Sequence, residues 1–287
     1  MNKRIGIIGG SGLYDIKGVE ILDELQIETP WGKPSDTLTL ARFGDQEVIF
    51  LPRHGRGHRI PPHAINYRAN IYAMKLAAVS QIISVSAVGS LREDIAPGDF
   101  VIIDQFVDRT HGRPSTFFEG PLVAHVSMAN PVCAALRKRL LAACRSAGIS
   151  VHDGGCYLTM QGPQFSSRAE SELYRSWGMD VIGMTNLPEA KLAREAELCY
   201  ATVAMCTDYD CWHEEEDDVS VQNLLETMHG NVRKAKSMLT ACFDHSTDLH
   251  ACNSDCRHAL EHAILGDFAN HDDAAIKPVH ALVERLL

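Results

Sequence analysis

Short apolar runs that stop at glycine or a turn residue recur along the chain, and they constrain its fold more than any other feature. Arg4–Ile8, Glu47–Leu51, Gln81–Val85, Phe100–Ile103, Val181–Met184 and Tyr200–Met205 are each four to six residues long. Their β-branched content is that of strands buried on both faces. Helical periods lie between them. Asn66–Ala78 puts Ile71, Met74 and Ala78 on one face. Pro131–Ala147 carries Leu136, Leu140 and Ala143 at helical spacing, with Gly148 just past its end, and Pro188–Glu197 opens on a good first turn. Strands alternating with helices predict an α/β fold around a largely parallel or mixed sheet. No repeat or linker divides the 287 residues, a length that one α/β domain fills.

Composition narrows the function classes. With 27 Lys+Arg against 37 Asp+Glu the net charge is −10, which argues against nucleic-acid partners or a membrane surface, since both call for a concentrated basic face. No apolar run approaches the roughly 18 residues of a membrane helix. The stretch Ile5–Ile8 breaks at Gly9-Gly10, too soon for a signal-peptide core. Nine cysteines, an odd number spread over a long chain, fit the reduced thiols of a cytoplasm better than a disulfide framework. The expectation is a cytoplasmic enzyme or small-molecule binder. Near residue 246 Cys, His, Asn and Asp become dense. Residues 1–245 therefore read as the main domain, and 246–287 as an extension of unknown role ending in a helix over Ala275–Leu287.

Three predicted strands end in loops suited to an anion. Gly9-Gly10-Ser11-Gly12 offers backbone N–H groups and a hydroxyl, although Asp15 stands where a dinucleotide fingerprint needs its third glycine. Arg53-His54-Gly55-Arg56-Gly57-His58 puts an arginine, a bidentate oxyanion clamp, at a strand end. Ser84-Val85-Ser86-Ala87-Val88-Gly89-Ser90 runs a strand into small hydroxylated residues. Ligands of α/β sheets sit outside the carboxyl ends of strands, so together these loops predict a phosphate site without a Walker lysine. Gly183-Met184-Thr185-Asn186 is a further strand-to-helix turn suited to an anion. Phe165, beside Ser166 and Ser167, could stack on a flat heterocycle or simply fill core. Asp208 and Asp210, two apart on an extended segment, project to the same side. A carboxylate pair raises at least one pKa and makes a general acid available near neutral pH; a helix cap or solvated turn is the plainer alternative. Ser220 can cap a helix whose Val221, Leu224, Leu225 and Met228 form a stripe of the kind usual in a core.

Read in order, GGSGLYD, LPRHGRGH, SAVGSLRED, DFVIIDQFVDRT, GPQFSSRAES, GMTNLPEA and MCTDYDCW resemble the 5′-methylthioadenosine phosphorylases of the trimeric purine nucleoside phosphorylase superfamily, over roughly residues 4–245. The resemblance implies a single α/β domain with a central mixed sheet, assembled as a homotrimer or a dimer of trimers. It implies a phosphate site at Ser11, Arg53, His54, Ser86, the backbone of Ala87, and Thr185. It puts Met184 at the ribose, Phe165 and Ser166 beside the purine, and Asp208 and Asp210 at its N7 and 6-amino edge, with Asp208 as the acid. Val221, Leu224 and Leu225 would line the methylthio pocket, and His125 would reach a neighbouring subunit's 5′ pocket. The implied reaction splits 5′-methylthioadenosine with inorganic phosphate as co-substrate and needs no cofactor or metal. The alternative on the same fold is a methylthioinosine or purine nucleoside phosphorylase acting on 6-oxopurines. Outside the matched region, His250, Cys252, Cys256 and His258 are spaced so that they could bind zinc or form a disulfide.

Overall fold

The computed structural model describes residues 3–13, 16, 18–213, 221–244, 252, 255–265 and 276–287; for Ser11 and residues 221–225 it describes the backbone alone. The apolar runs become the middle of one mixed 11-stranded sheet. Its centre is β1 (Arg4–Gly9), β4 (Gln46–Pro52), β5 (Val79–Ser90) and β12 (Cys199–Asp208), with β1 pairing β4 and β5 in parallel and β12 pairing β5 in parallel. Side chains alternate between two cores, as the two-residue period of a strand requires. Ile5, Ile7, Val48, Phe50 and Val203 face α2 (Ala134–Ser146) and α5 (Val221–Asp244). Ile8, Ile49, Leu51, Ile82 and Tyr200 face α1 (Tyr67–Leu76) and α4 (Asn186–Glu195).

The sheet extends on one side through the antiparallel β3 (Leu38–Phe43) and β2 (Val19–Leu25). On the other side β11 (Val181–Gly183) runs antiparallel to the end of β5, followed by β10 (Cys156–Met160) and β7 (Gln105–Arg109). A branch from β12 adds β6 (Phe100–Ile102) and β9 (Val151–Asp153). α3 (Arg168–Ser176) begins at a capping box in which Ser167 and Glu170 satisfy each other's backbone donors.

Several strands escape sequence reading because they are short or lie at an edge. β2 mixes exposed and half-buried residues without alternation, and β8 (Val123–Ala124) and β13 (Ile264–Leu265) are two-residue partners. The chain end differs from the expected single helix. Within 276–287 it is a 3-10 turn over Lys277–Val279, the short α6 (His280–Val283) and a second 3-10 turn over Glu284–Leu286. Pro278 and the small apolar face favour short turns that insert Val279, Leu282 and Val283 into the second core.

Glu197, at the turn between α4 and β12, holds this region. Its carboxylate is buried and accepts from the Leu260 amide at 3.0 Å and from Arg285 Nη2 at 2.8 Å. Glu197→Ala strands a buried N–H, which costs about 1–3 kcal/mol, and is expected to lower the melting temperature by a few degrees. An unchanged melting curve would mean that residues 255–287 do not bear on this turn.

Candidate active site

The carboxyl ends of β1, β4, β5, β11 and β12 surround a cavity of about 530 Å³. This is where the topology of an α/β sheet leaves room for a ligand. Gly10 and Gly12, Arg53 and His54, Ser86 and Ala87, Met184 and Thr185, and Asp208 and Asp210 all line it. Residues from separate stretches of the sequence thus converge on one space.

At one end lie hydroxyl, guanidinium and imidazole groups. The Ser86 hydroxyl is 3.1 Å from Tyr157 Oη and 3.5 Å from Thr185 Oγ1. Thr185 caps α4 by position, but its hydroxyl makes no cap hydrogen bond and is directed instead to Ser86 and Tyr157. A Cβ at Gly183 would overlap the Tyr157 hydroxyl, so only glycine lets this ring sit beneath the site.

Arg53 differs from the clamp expected. It is 2% exposed, and its fork is turned inward onto Glu189, with Nε at 2.7 Å and Nη2 at 2.9 Å from the carboxylate oxygens. Nη2 also donates to Ser84 Oγ and Nη1 to the Val85 carbonyl. A guanidinium has five N–H groups, which leaves one on Nη1 for an anion. Burial works against the charge, but the Glu189 carboxylate outweighs it and holds the guanidinium firmly protonated.

Burial, followed by the charge of Arg53 and the neighbouring His58, pushes His54 down to about 4, against a backbone hydrogen bond that raises it. Its Nδ1 lies 2.8 Å from the Ile60 carbonyl. The ring is therefore neutral at pH 7, Nδ1–H donates to Ile60, and Nε2 is an acceptor suited to the hydroxyl of a monoprotonated phosphate.

The far end is acidic. Asp208 accepts from the Thr207 hydroxyl at 2.6 Å and from the Asp210 amide at 2.8 Å. Their convergence does not come from strand alternation, as expected. The pairing of β12 with β5 slips by one residue between Cys206 and Asp208, which lets both Thr207 and Asp208 line the cavity. Asp210 lies beyond the strand in a left-handed turn with φ 53°, a conformation aspartate tolerates better than most residues. Burial raises Asp210 to about 6, and the charge of Asp208 adds to the rise, while Ser171 opposes it. A Cβ at Gly89 would stand 2.9 Å from Asp208 Oδ1, so β5 keeps a glycine opposite the acid.

Phe165 is half exposed at the cavity wall rather than in the core. Ser166 is not brought to the cavity; its hydroxyl turns to Met160 Sδ, 3.6 Å away, because it is buried behind that side chain. The Ser11 side chain, those of Val221, Leu224 and Leu225, and Ser220 lie outside the described residues. Further along α5, Met228 and Val232 line the cavity, so this helix serves it as well as the core. His125 is exposed on the segment after β8, away from the cavity of its own chain.

Sequence reasoning missed Tyr157, Glu189 and Arg113. Arg113 is buried and donates to the carbonyls of Met184 and Leu187 at 2.8 and 2.9 Å, bracing the loop that carries Thr185. A lone arginine or glutamate in sequence gives no sign of such a partner. The one available clue to Glu189 was its place in the first turn of a helix.

The sequence profile of the phosphorylase superfamily matches residues 4–244. The chain belongs to this superfamily. Among its relatives, it is 53% identical to the S-methyl-5′-thioadenosine phosphorylase of Geobacter sulfurreducens over 94% of both chains. To the Cereibacter sphaeroides enzyme of that name it is 48% identical, covering 100% of this chain and 99% of the relative. A solved methylthioadenosine phosphorylase from an antarctic soil metagenomic library superposes with a TM-score of 0.93 at 43% identity, over 98% of this chain and 99% of the other. The methylthioadenosine phosphorylase of Schistosoma mansoni, solved with adenine, gives 0.81 at 40% identity, over 85% and 91%.

In a phosphorylase site the buried pair makes a testable claim. Glu189→Gln leaves the Arg53 charge uncompensated, and breaking one side of a buried pair costs about 3–5 kcal/mol. The variant should melt earlier and show a larger rise in KM for phosphate than for nucleoside; equal rises contradict the placement.

His54 sets part of the acid response. Its folded value of about 4 lies below the ordinary 6.5, so between those limits the unfolded chain binds more protons at this residue. The stability it contributes is complete above pH 6.5 and is lost as pH falls toward 4. Denaturant unfolding of wild type and His54→Asn across this window should show the loss in their difference. A difference independent of pH contradicts a buried neutral ring.

Proposed function

We propose that the chain catalyses phosphorolysis of 5′-methylthioadenosine, yielding adenine and 5-methylthioribose 1-phosphate. The observation that carries this reading is the polarity of one cavity. Phosphate donors gather at one end, a carboxyl pair with one raised member stands at the other, and Val85, Ile182, Met184 and Met205 line the space between. The relatives of that name support the substrate class.

Phosphorolysis breaks the N9–C1′ bond through an oxocarbenium-like ribosyl cation. A phosphate oxygen bonds C1′ as the purine leaves with the bonding pair, and the proton lost by monoprotonated phosphate is balanced by the one adenine gains. Ser86, Thr185, Arg53 and His54 would hold the dianion below C1′, so that charge and position supply most of the acceleration. Asp208 delivers the proton at N7, and the raised carboxyl of Asp210 keeps a proton within the pair. A 6-aminopurine offers N–H groups to these carboxylates, whereas a 6-oxopurine sets an oxygen against them. Inorganic phosphate is the co-substrate, and no step in this reading calls for a metal or cofactor.

His125 is exposed and does not line its own cavity, which supports a site shared between copies in a cytoplasmic homotrimer or a dimer of trimers. No helix among the described residues is long and apolar enough to cross a membrane.

Release of the base from methylthioadenosine, methylthioinosine, adenosine and inosine, with and without phosphate, tests the reading. Methylthioadenosine should be split fastest and only with phosphate; full-rate adenine release without it indicates a hydrolase. Asp208→Asn removes a general acid and should lower kcat by roughly 100- to 10,000-fold. Intact turnover in that variant moves the acid elsewhere.

A further inference from the structure

Four cysteines meet far from the cavity's chemistry. The sulfurs of Cys133, Cys199, Cys252 and Cys256 all lie within 4.8 Å of one another, and Cys133 and Cys252 are 3.4 Å apart. They come from separate places: the N-cap of α2, the first residue of β12, and two points in the C-terminal extension, the second inside a 3-10 turn over Asp255–His258. Cys133, Cys199 and Cys256 are almost wholly buried, and Cys252 is half-buried.

We propose that these four thiols form a structural zinc site that fastens the C-terminal extension to the core. Zinc–sulfur bonds of about 2.3 Å in a tetrahedron place the sulfurs roughly 3.8 Å apart, a spacing that the quartet matches with small adjustments. Four thiol ligands and no open position make a closed, structural centre rather than a catalytic one. Binding releases four protons from the thiols, and zinc keeps its oxidation state. The tetrathiolate centre carries two negative charges. The amino end of the 13-residue α2, which Cys133 begins without a side-chain cap, supplies N–H groups and dipole to offset them. Cys199 is buried and hydrogen-bonded to Cys133 and Cys256, and a divalent cation would bind these sulfurs as thiolates.

The ligand set differs from the one spacing predicted. Cys252 and Cys256 belong to it, but His258 turns outward, 58% exposed, to Glu261 at 3.1 Å, and His250 lies outside the described residues. The core supplies the other two ligands from positions 66 residues apart, which no local motif reveals. From the quartet the chain runs to Leu260, whose amide binds Glu197, and on to β13, which pairs with β8 next to His125. A metal here would hold the segment that carries His125.

Protein purified without chelators, in the presence of reductant, should contain one zinc per chain by elemental analysis. A mercurial reagent that caps thiols should release it, and cobalt in its place should give the visible bands of a tetrathiolate. Cys252→Ser and Cys256→Ser should each bring zinc well below one per chain and speed proteolysis of the extension. Zinc-free protein that stays so after incubation with zinc under reductant overturns the proposal. So does a count of titratable thiols in denaturant that rises by four on reduction, which would mean two disulfides. Iron bound in place of zinc overturns the choice of metal.

Discussion

Arg53 and Glu189 stand 136 residues apart in sequence and meet at 2.7 Å in the middle of the fold, with side chains 3% and 0% exposed. The cost of desolvating two charges is met by satisfying their remaining groups. Ser84 and Tyr200 donate to Glu189 at 2.8 and 2.9 Å, and Asn186 binds Tyr200 and Thr202. This network joins the ends of β4 and β5 to the start of α4 and to β12. Each of those elements brings a wall of the cavity, so the pair fixes their relative position. Breaking it would leave charges with no solvent to receive them, and it therefore acts as an all-or-none lock on the site.

The lock also bears on how the proposed phosphate site would work. Because the Arg53 charge is largely offset, binding there would fall to directed groups: one guanidinium N–H and the Ser86 and Thr185 hydroxyls. Such donors reward geometry more than net charge. The neutral His54 fits the same scheme, since an imidazole that accepts distinguishes a protonated phosphate from sulfate. At the other end burial raises Asp210, and the charge of the neighbouring Asp208 adds to the rise. The proposed reaction uses both polarities at once.

Much of this was legible in the residues. Continuous apolar runs became the central strands because both faces of that sheet are buried, and glycine-flanked hydroxyls at strand ends became cavity lining. What stayed hidden depends on contacts across long separations. Glu189 beneath Arg53, Tyr157 against Gly183 and Arg113 under the Met184 loop have no local signature. The direction of Ser166 was also hidden, because a loop hydroxyl next to an aromatic can face either way, and here it turns to Met160. The edge strands stayed hidden because half-exposed segments such as Val19–Leu25 carry no clean period.

The one-residue slip of β12 against β5 has a consequence beyond geometry. A side chain's face is set by counting along the strand, so whether position 208 faces the cavity depends on how many residues precede it after the last regular pair. Losing or gaining one residue between Cys206 and Asp208 would trade a carboxylate for a hydroxyl at that wall with hardly any change in composition. Substitutions tune such a site by degrees. Indels rewrite it in one step, and a comparison of specificities across this superfamily should align this strand by hydrogen-bond register before comparing letters.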